Sequence, residues 1–167
     1  MGALVKLVDA ALFIFFLFIG MVAPLFDSQS ILPLEIYPKA LVDLKNWYSE
    51  EYNDYLTAEK PHFFVGLIGV QLFFQWPLAL ICLYGIAGGK SWLPTTCLMY
   101  GTSTFTGMVA ILAELTGSKR ASETLLKIYY PFLGFALLAI LRGSVPYSGK
   151  SGASSSKRQA VNRKKKA

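Results

Sequence analysis

Few residues in this chain have both the type and the spacing to do chemistry. Gln71 and Gln75 lie four apart in a run of 27 residues without a charge, Phe63 to Gly89. On a helix that spacing puts both amides on one face. Asp27 closes a second uncharged run, and Thr102, Ser103, Thr104 and Thr106 sit inside a third. Tyr129 and Tyr130 precede Pro131 in a fourth. Polar groups in lipid are costly, so each marks either a packing contact or a site. As packing, a glutamine is glue between helices worth about 1 kcal/mol. As a site, the same groups form a pocket whose acid holds a cationic or hydroxylated ligand. Residue chemistry leaves both readings open.

Catalytic material is scarce. The one histidine, His62, stands at a run boundary, and no GxSxG, HExxH or Walker loop occurs. Acid–base chemistry needs positioned groups of matched pKa, and only Asp27, Asp54, Glu114 and His62 lie near enough to the apolar runs. Cys82 and Cys97 lack a CxxC or Cys/His partner and read as small buried hydrophobes. No catalytic residue, metal or cofactor is expected.

The elements that must position these groups are membrane spans. More than half of the 167 residues are apolar and only 16% are charged, against about 25% in soluble domains. The first span is Ala10 to Phe26. A cleaved signal peptide is its rival. The length of the apolar core, Asp9 in the leader and Pro24 just after the only small-residue cut all weigh against cleavage. Phe63 to Gly89 is the second span, interrupted at Pro77, where a kink is expected. Ser91 to Ala113 is the third and Leu125 to Leu141 the fourth, with Lys127 able to snorkel. Gly66, Gly69 and the pair Gly85 and Gly89 read as packing glycines. Between the first two spans, Leu41, Leu44 and Tyr48 are spaced for a short amphipathic helix from about Pro38 to Tyr52, folded over the mouth of the bundle. The fold expected is an all-α membrane protein, a four-transmembrane-helix bundle with an ordered loop between helices 1 and 2. Residues 1–142 form the bundle and 143–167 a disordered basic tail.

Charge sets the orientation. The formal net charge is +6, yet eight of the sixteen basic residues lie at or after Arg142, and no acid follows Glu123. That is a basic tail, not a nucleic-acid-binding face. The segment Asp27 to His62 has seven acids and three lysines. Basic flanks stay in the cytoplasm, so both termini are expected there and the acidic loop in the lumen. Lys119 and Arg120, in the second luminal loop, run against this pattern. Lys164 and Lys165 occupy the fourth and third places from the end and fit a dilysine signal for return to the endoplasmic reticulum; the alternative is a contact with anionic lipid.

Several blocks resemble the sigma-2 receptor, or transmembrane protein 97, family. They are Leu25-Phe26-Asp27, Ile31 to Pro38, Trp47-Tyr48, Asp54, Gln71 to Pro77, Tyr129-Tyr130-Pro131 and Leu141 to Ser144. The resemblance covers about Leu12 to Arg142. It implies a four-helix reticulum protein of the EXPERA superfamily, related to the emopamil-binding sterol isomerases, tied to sterol handling and forming a homodimer. It implies that Asp27 pairs with a ligand amine and that Asp54 orders the luminal loop. The family's second acid, next to the first, is here Gln71. A carboxylate pair can share a proton, but an acid beside an amide cannot, and the isomerases' His/Glu set is missing from the second span. The expected function is therefore binding of a sterol or a cationic amphiphile. Asp27, Gln71, Gln75 and Thr104 would make the polar contacts, with Trp47, Tyr48, Tyr129 and Phe132 as walls. A sterol isomerase and a trafficking adaptor with a vestigial pocket are the alternatives.

Overall fold

The computed structural model describes residues 2–145, all helical apart from turns and short connections. Lys164, Lys165 and nearly all of the basic tail lie outside the described residues. Seven α-helices follow in order: α1 (Ala3–Leu25), α2 (Lys39–Glu51), α3 (Tyr55–Glu59), α4 (His62–Val70), α5 (Trp76–Ala87), α6 (Leu93–Gly117) and α7 (Glu123–Ser144). Four stretches are long and apolar enough to cross a membrane: Ala3–Ser30, His62–Ala87, Leu93–Gly117 and Glu123–Ser144. At 1.5 Å per residue each exceeds the roughly 30 Å of a hydrocarbon core. The protein is an all-α, four-span membrane bundle.

α6 runs past Glu114, the end of its uncharged stretch, to Gly117, and α1 and α7 also run further than theirs. α1 begins at Ala3, seven residues before Ala10. α7 continues past Leu141 to Ser144. The charges that marked both limits are paired with each other. Arg142 Nε donates to Asp9 Oδ1 (2.5 Å) and its NH2 to Oδ2 (3.3 Å), and both residues are buried. Arg142 is thus an internal strut between α1 and α7, not the first residue of the tail.

The second span is α4 and α5 joined by a π turn over Gln71–Gln75. Pro77 has no N–H to offer the carbonyl four residues back, at Phe73, so the interruption expected there takes the form of a wide turn. That turn shifts Gln71 and Gln75 from the α-helical register, and they contact different neighbours. Gln75 Nε2 donates to Ser103 Oγ on α6 (3.0 Å), and Trp76 Nε1 to Gly20 O on α1 (3.0 Å).

α6 and α7 touch backbone to backbone. A Cβ on Gly101 would come within 2.8 Å of Ala136 O and of Ile140 N; one on Gly143 would lie 2.6 Å from Leu98 N. Of the glycines expected to pack, Gly85 does, while Gly66 and Gly69 do not. A Cβ on Gly66 would meet nothing, one on Gly69 only the tip of Ile31, and Gly85 is covered by the Trp92 and Leu93 side chains. The hydroxyls of Thr102 and Thr106 bond back to carbonyls of their own helix, Leu98 O and Thr102 O. Cys82 and Cys97 are buried and free, with sulfurs 4.0 Å apart.

Candidate ligand-binding site

The site begins where α1 ends. A helix leaves its last carbonyls without partners, and here side chains take them in turn. Ser28 Oγ donates to Pro24 O (2.5 Å), Gln29 Nε2 to Leu25 O (2.7 Å) and Lys45 Nζ to Phe26 O (3.1 Å). Gln29 also reaches Leu41 O, and Lys45 reaches Ser30 Oγ at 2.7 Å. These bonds pin α2 across the end of α1. Of the expected amphipathic face of α2, Leu41 and Tyr48 are half-buried and Leu44 turns outward. Leu44 and Trp47 are exposed, and Lys45 is the buried residue of the helix. Desolvation lowers the Lys45 ammonium to about 8, opposed by the Asp27 carboxylate.

Asp27 is the residue after Phe26 and is fixed by the same pinning. Gln71 Nε2 donates to its Oδ2 at 2.7 Å, while Oδ1 accepts from no described residue. The pair stands on a cavity of about 300 Å³ enclosed by α1, α2, α3, α4, α6 and α7. Tyr48, Thr57 and Tyr129 complete its polar rim; Phe18, Phe64, Ile68, Met108, Ile111 and Phe132 are among its apolar walls. Phe26 packs edge-on against Tyr48, with ring centroids 5.3 Å apart. Burial, then the carboxylates of Asp54 and Asp27, push the Tyr48 phenol well above its ordinary value, so it stays a hydroxyl donor. A second, wholly apolar hollow of about 350 Å³ lies between α1 and α7 and shares Phe18 and Phe132 with the cavity.

The structure therefore brings Asp27, Gln71, Tyr48, Tyr129 and Phe132 together. It places three other candidates outside this cavity. Gln75 is spent on Ser103, Thr104 is buried in α6, and Trp47 is exposed, edge-on to Tyr52. His62 is exposed at the start of α4, and Glu114 accepts from Tyr55 Oη at 3.1 Å. Sequence reasoning missed Lys45 and Thr57; neither carries a signal that separates it from the other polar residues of the loop. Among the described residues no cluster of three or more His, Cys, Asp or Glu could hold a metal.

Asp54 closes the loop over the cavity. It is fully buried and caps α3, its Oδ1 accepting from Leu56 N (3.1 Å) and Thr57 N (3.3 Å). Its Oδ2 accepts from Tyr129 Oη at 2.9 Å, which ties α3 to α7 beside the cavity. Asp54→Ala removes the cap, worth about 1 kcal/mol, and strands a buried phenol at a cost of about 1–3 kcal/mol more. The expected result is a fall in melting temperature of the detergent-purified protein, with ligand affinity falling alongside because Tyr129 lines the cavity. Asp54→Asn, which can still accept at the cap, should lose less.

This geometry sits on a recognisable chain. The family model of EXPERA (EXPanded EBP superfamily) matches residues 40–143. The chain belongs to the EXPERA superfamily. It is 31% identical over 139 residues to the human protein named Sigma intracellular receptor 2, covering 72% of this chain and 78% of the relative. The Xenopus tropicalis protein of the same name is 28% identical over 156 residues, covering 84% and 90%. The matched EXPERA region includes all of α2 but its first residue, and Asp54, Gln71 and Tyr129. These relatives are named as receptors rather than as enzymes.

Proposed function

We propose that this protein binds a sterol or a similarly amphiphilic lipid, polar end first, in the cavity beneath α2. One observation carries the reading. Asp27 is held by Gln71 on one oxygen and free on the other, at the polar rim of an otherwise apolar cavity. That is the form of a ligand site, in which apolar walls supply affinity and a few fixed polar groups supply orientation. The cavity volume is near the low end of the small-molecule range, about 300–1,000 Å³. The hollow shared through Phe18 and Phe132 gives an extended ring system room when those side chains turn. Binding fits better than catalysis, since Asp27, Tyr48 and Tyr129 are the titratable groups among the lining residues and Asp27 faces an amide rather than a second acid.

The same reading takes the protein to be a homodimer of the endoplasmic reticulum membrane with a role in sterol homeostasis. The termini would be cytoplasmic, with Lys164 and Lys165 as the retrieval signal. The Lys119–Arg120 loop, which ran against this orientation, is offset by the acidic loop it meets. Arg120 forms a two-point pair with Glu59 and covers the Tyr55 ring at 4.0 Å. Its guanidinium holds the Glu59 carboxyl below the usual range.

The test is saturable binding of a radiolabelled sterol and of a cationic amphiphile to detergent-purified protein. Ile111→Trp, which fills the cavity, should abolish binding. Asp27→Asn removes a charge-assisted hydrogen bond and should weaken binding roughly tenfold or more. Binding unchanged in both variants rejects the site.

A further inference from the structure

The inward face of α2 is built around a lysine, and lysine is seldom fully buried without a partner. Lys45 is 5% exposed. Its Nζ donates to Phe26 O and Ser30 Oγ and lies 5.5 Å from the Phe26 ring centroid. No carboxylate is in contact with it: the ion pairs among the described residues are Glu59 with Arg120 and Asp9 with Arg142. Bonds to a carbonyl and a hydroxyl occupy two of its three donors but leave its charge. Burying an ammonium costs several kcal/mol unless an opposite charge lies close by. The compensating charge comes through space, from the carboxylate of Asp27 next to Phe26, with Asp54 and Lys60 further out. Lys45 does not itself line the cavity; it stands behind Phe26, whose carbonyl it binds, and from there its charge offsets that of Asp27 on the cavity side.

A ligand ammonium would add a positive charge that nothing there balances, in surroundings that screen it poorly. A ligand hydroxyl adds no charge and donates to the free Oδ1 of Asp27. We infer that Lys45 is the resident counter-ion of Asp27 and makes the cavity select neutral, hydroxylated amphiphiles over amines. The inference rests on the reading of the cavity as a ligand site.

The experiment uses two probes on one sterol ring system, a 3β-alcohol and the matching 3β-amine, and measures both affinities on the full chain in detergent. Wild type should favour the alcohol by roughly tenfold, the equivalent of one pKa unit. Lys45→Gln keeps an N–H for Phe26 O and Ser30 Oγ but removes the charge. It should raise amine affinity by roughly tenfold and leave alcohol affinity within about threefold. Lys45→Arg keeps the charge and should keep the wild-type ratio. A wild type that prefers the amine, or a ratio unmoved by Lys45→Gln, overturns the inference. The wild-type ratio decides the matter even if Lys45→Gln cannot be purified. Amine preference that Ile111→Trp abolishes sinks this inference alone. Binding of both probes that survives Ile111→Trp sinks the cavity reading, and this inference with it.

Discussion

Arg142→Met is expected to destabilise the bundle by about 3–5 kcal/mol, the usual consequence of breaking a buried ion pair from one side. The guanidinium is 2% exposed and the Asp9 carboxylate 10%. Removing the arginine leaves the acid in a dry environment with no described group to replace its two hydrogen bonds. The loss should appear as a large drop in apparent melting temperature after detergent extraction. Arg142→Lys should recover only part of it, because an ammonium cannot meet both carboxylate oxygens in the plane of the fork. The double variant Asp9→Leu, Arg142→Met should recover more than the lysine does, since replacing both charges by apolar groups is often neutral or favourable. Asp9 lies on α1 and Asp27 just past its end, eighteen residues on, roughly 27 Å at the helical rise. Folded single variants should therefore keep wild-type affinity for the sterol probe. Equal melting of wild type and Arg142→Met would mean that the pair does not hold α1 to α7.

The same pair shows where sequence reading reached and where it stopped. The four spans were legible because charge is excluded from runs of 14 to 27 residues in each, a pattern that depends on no tertiary detail. Their ends were not, because Asp9 and Arg142 each read as a surface charge until the other is placed beside it, and they are 133 residues apart. α2 was legible in extent, Lys39–Glu51 against an expected Pro38 to Tyr52, because proline sets its start and its apolar spacing is helical. Its facing was legible only in part. Leu44 and Trp47 are the stronger apolar signals, yet the inward turn went to Lys45, since the open carbonyls at the end of α1 need a donor more than the core needs a leucine. Asp27 and Gln71 were singled out by their position at or within apolar runs and by resemblance. Gln75 was singled out by the same logic, and the π turn before Pro77 gave it Ser103 instead. Thr57 lies in a polar loop where any of several hydroxyls would have read alike. A local pattern finds a helix, whereas the partner of a polar side chain is a long-range fact.

Gly143→Leu should prevent folding, and Gly101→Ala should destabilise by about 1–3 kcal/mol, the range for overpacking a close contact. On α6, Pro94, Leu98 and Gly101 share one face by their spacing of four and three. On α7, Ala136, Ile140 and Gly143 do the same. The helices run antiparallel, so Gly143 meets Pro94 and Leu98 while Gly101 meets Ala136 and Ile140. A Cβ at Gly143 would stand 2.7 Å from Pro94 O, and at Gly101 2.8 Å from Ala136 O. Both neighbours are backbone and cannot turn aside as a side chain can. The helices must separate, and with them goes the packing and interhelical bonding that hold helices together where lipid offers no hydrophobic drive. Gly134 is the control. It lies on the same helix, α7, with nothing within 4 Å of its would-be Cβ. Gly134→Ala removes only the conformational freedom of a mid-helix glycine and should leave the melting temperature unchanged or raise it, by up to about 1 kcal/mol of stability. The opposite signs separate close approach from helix propensity, which alone would make all three replacements favourable. A Gly101→Ala protein as stable as Gly134→Ala would place the two backbones too far apart for the contact described.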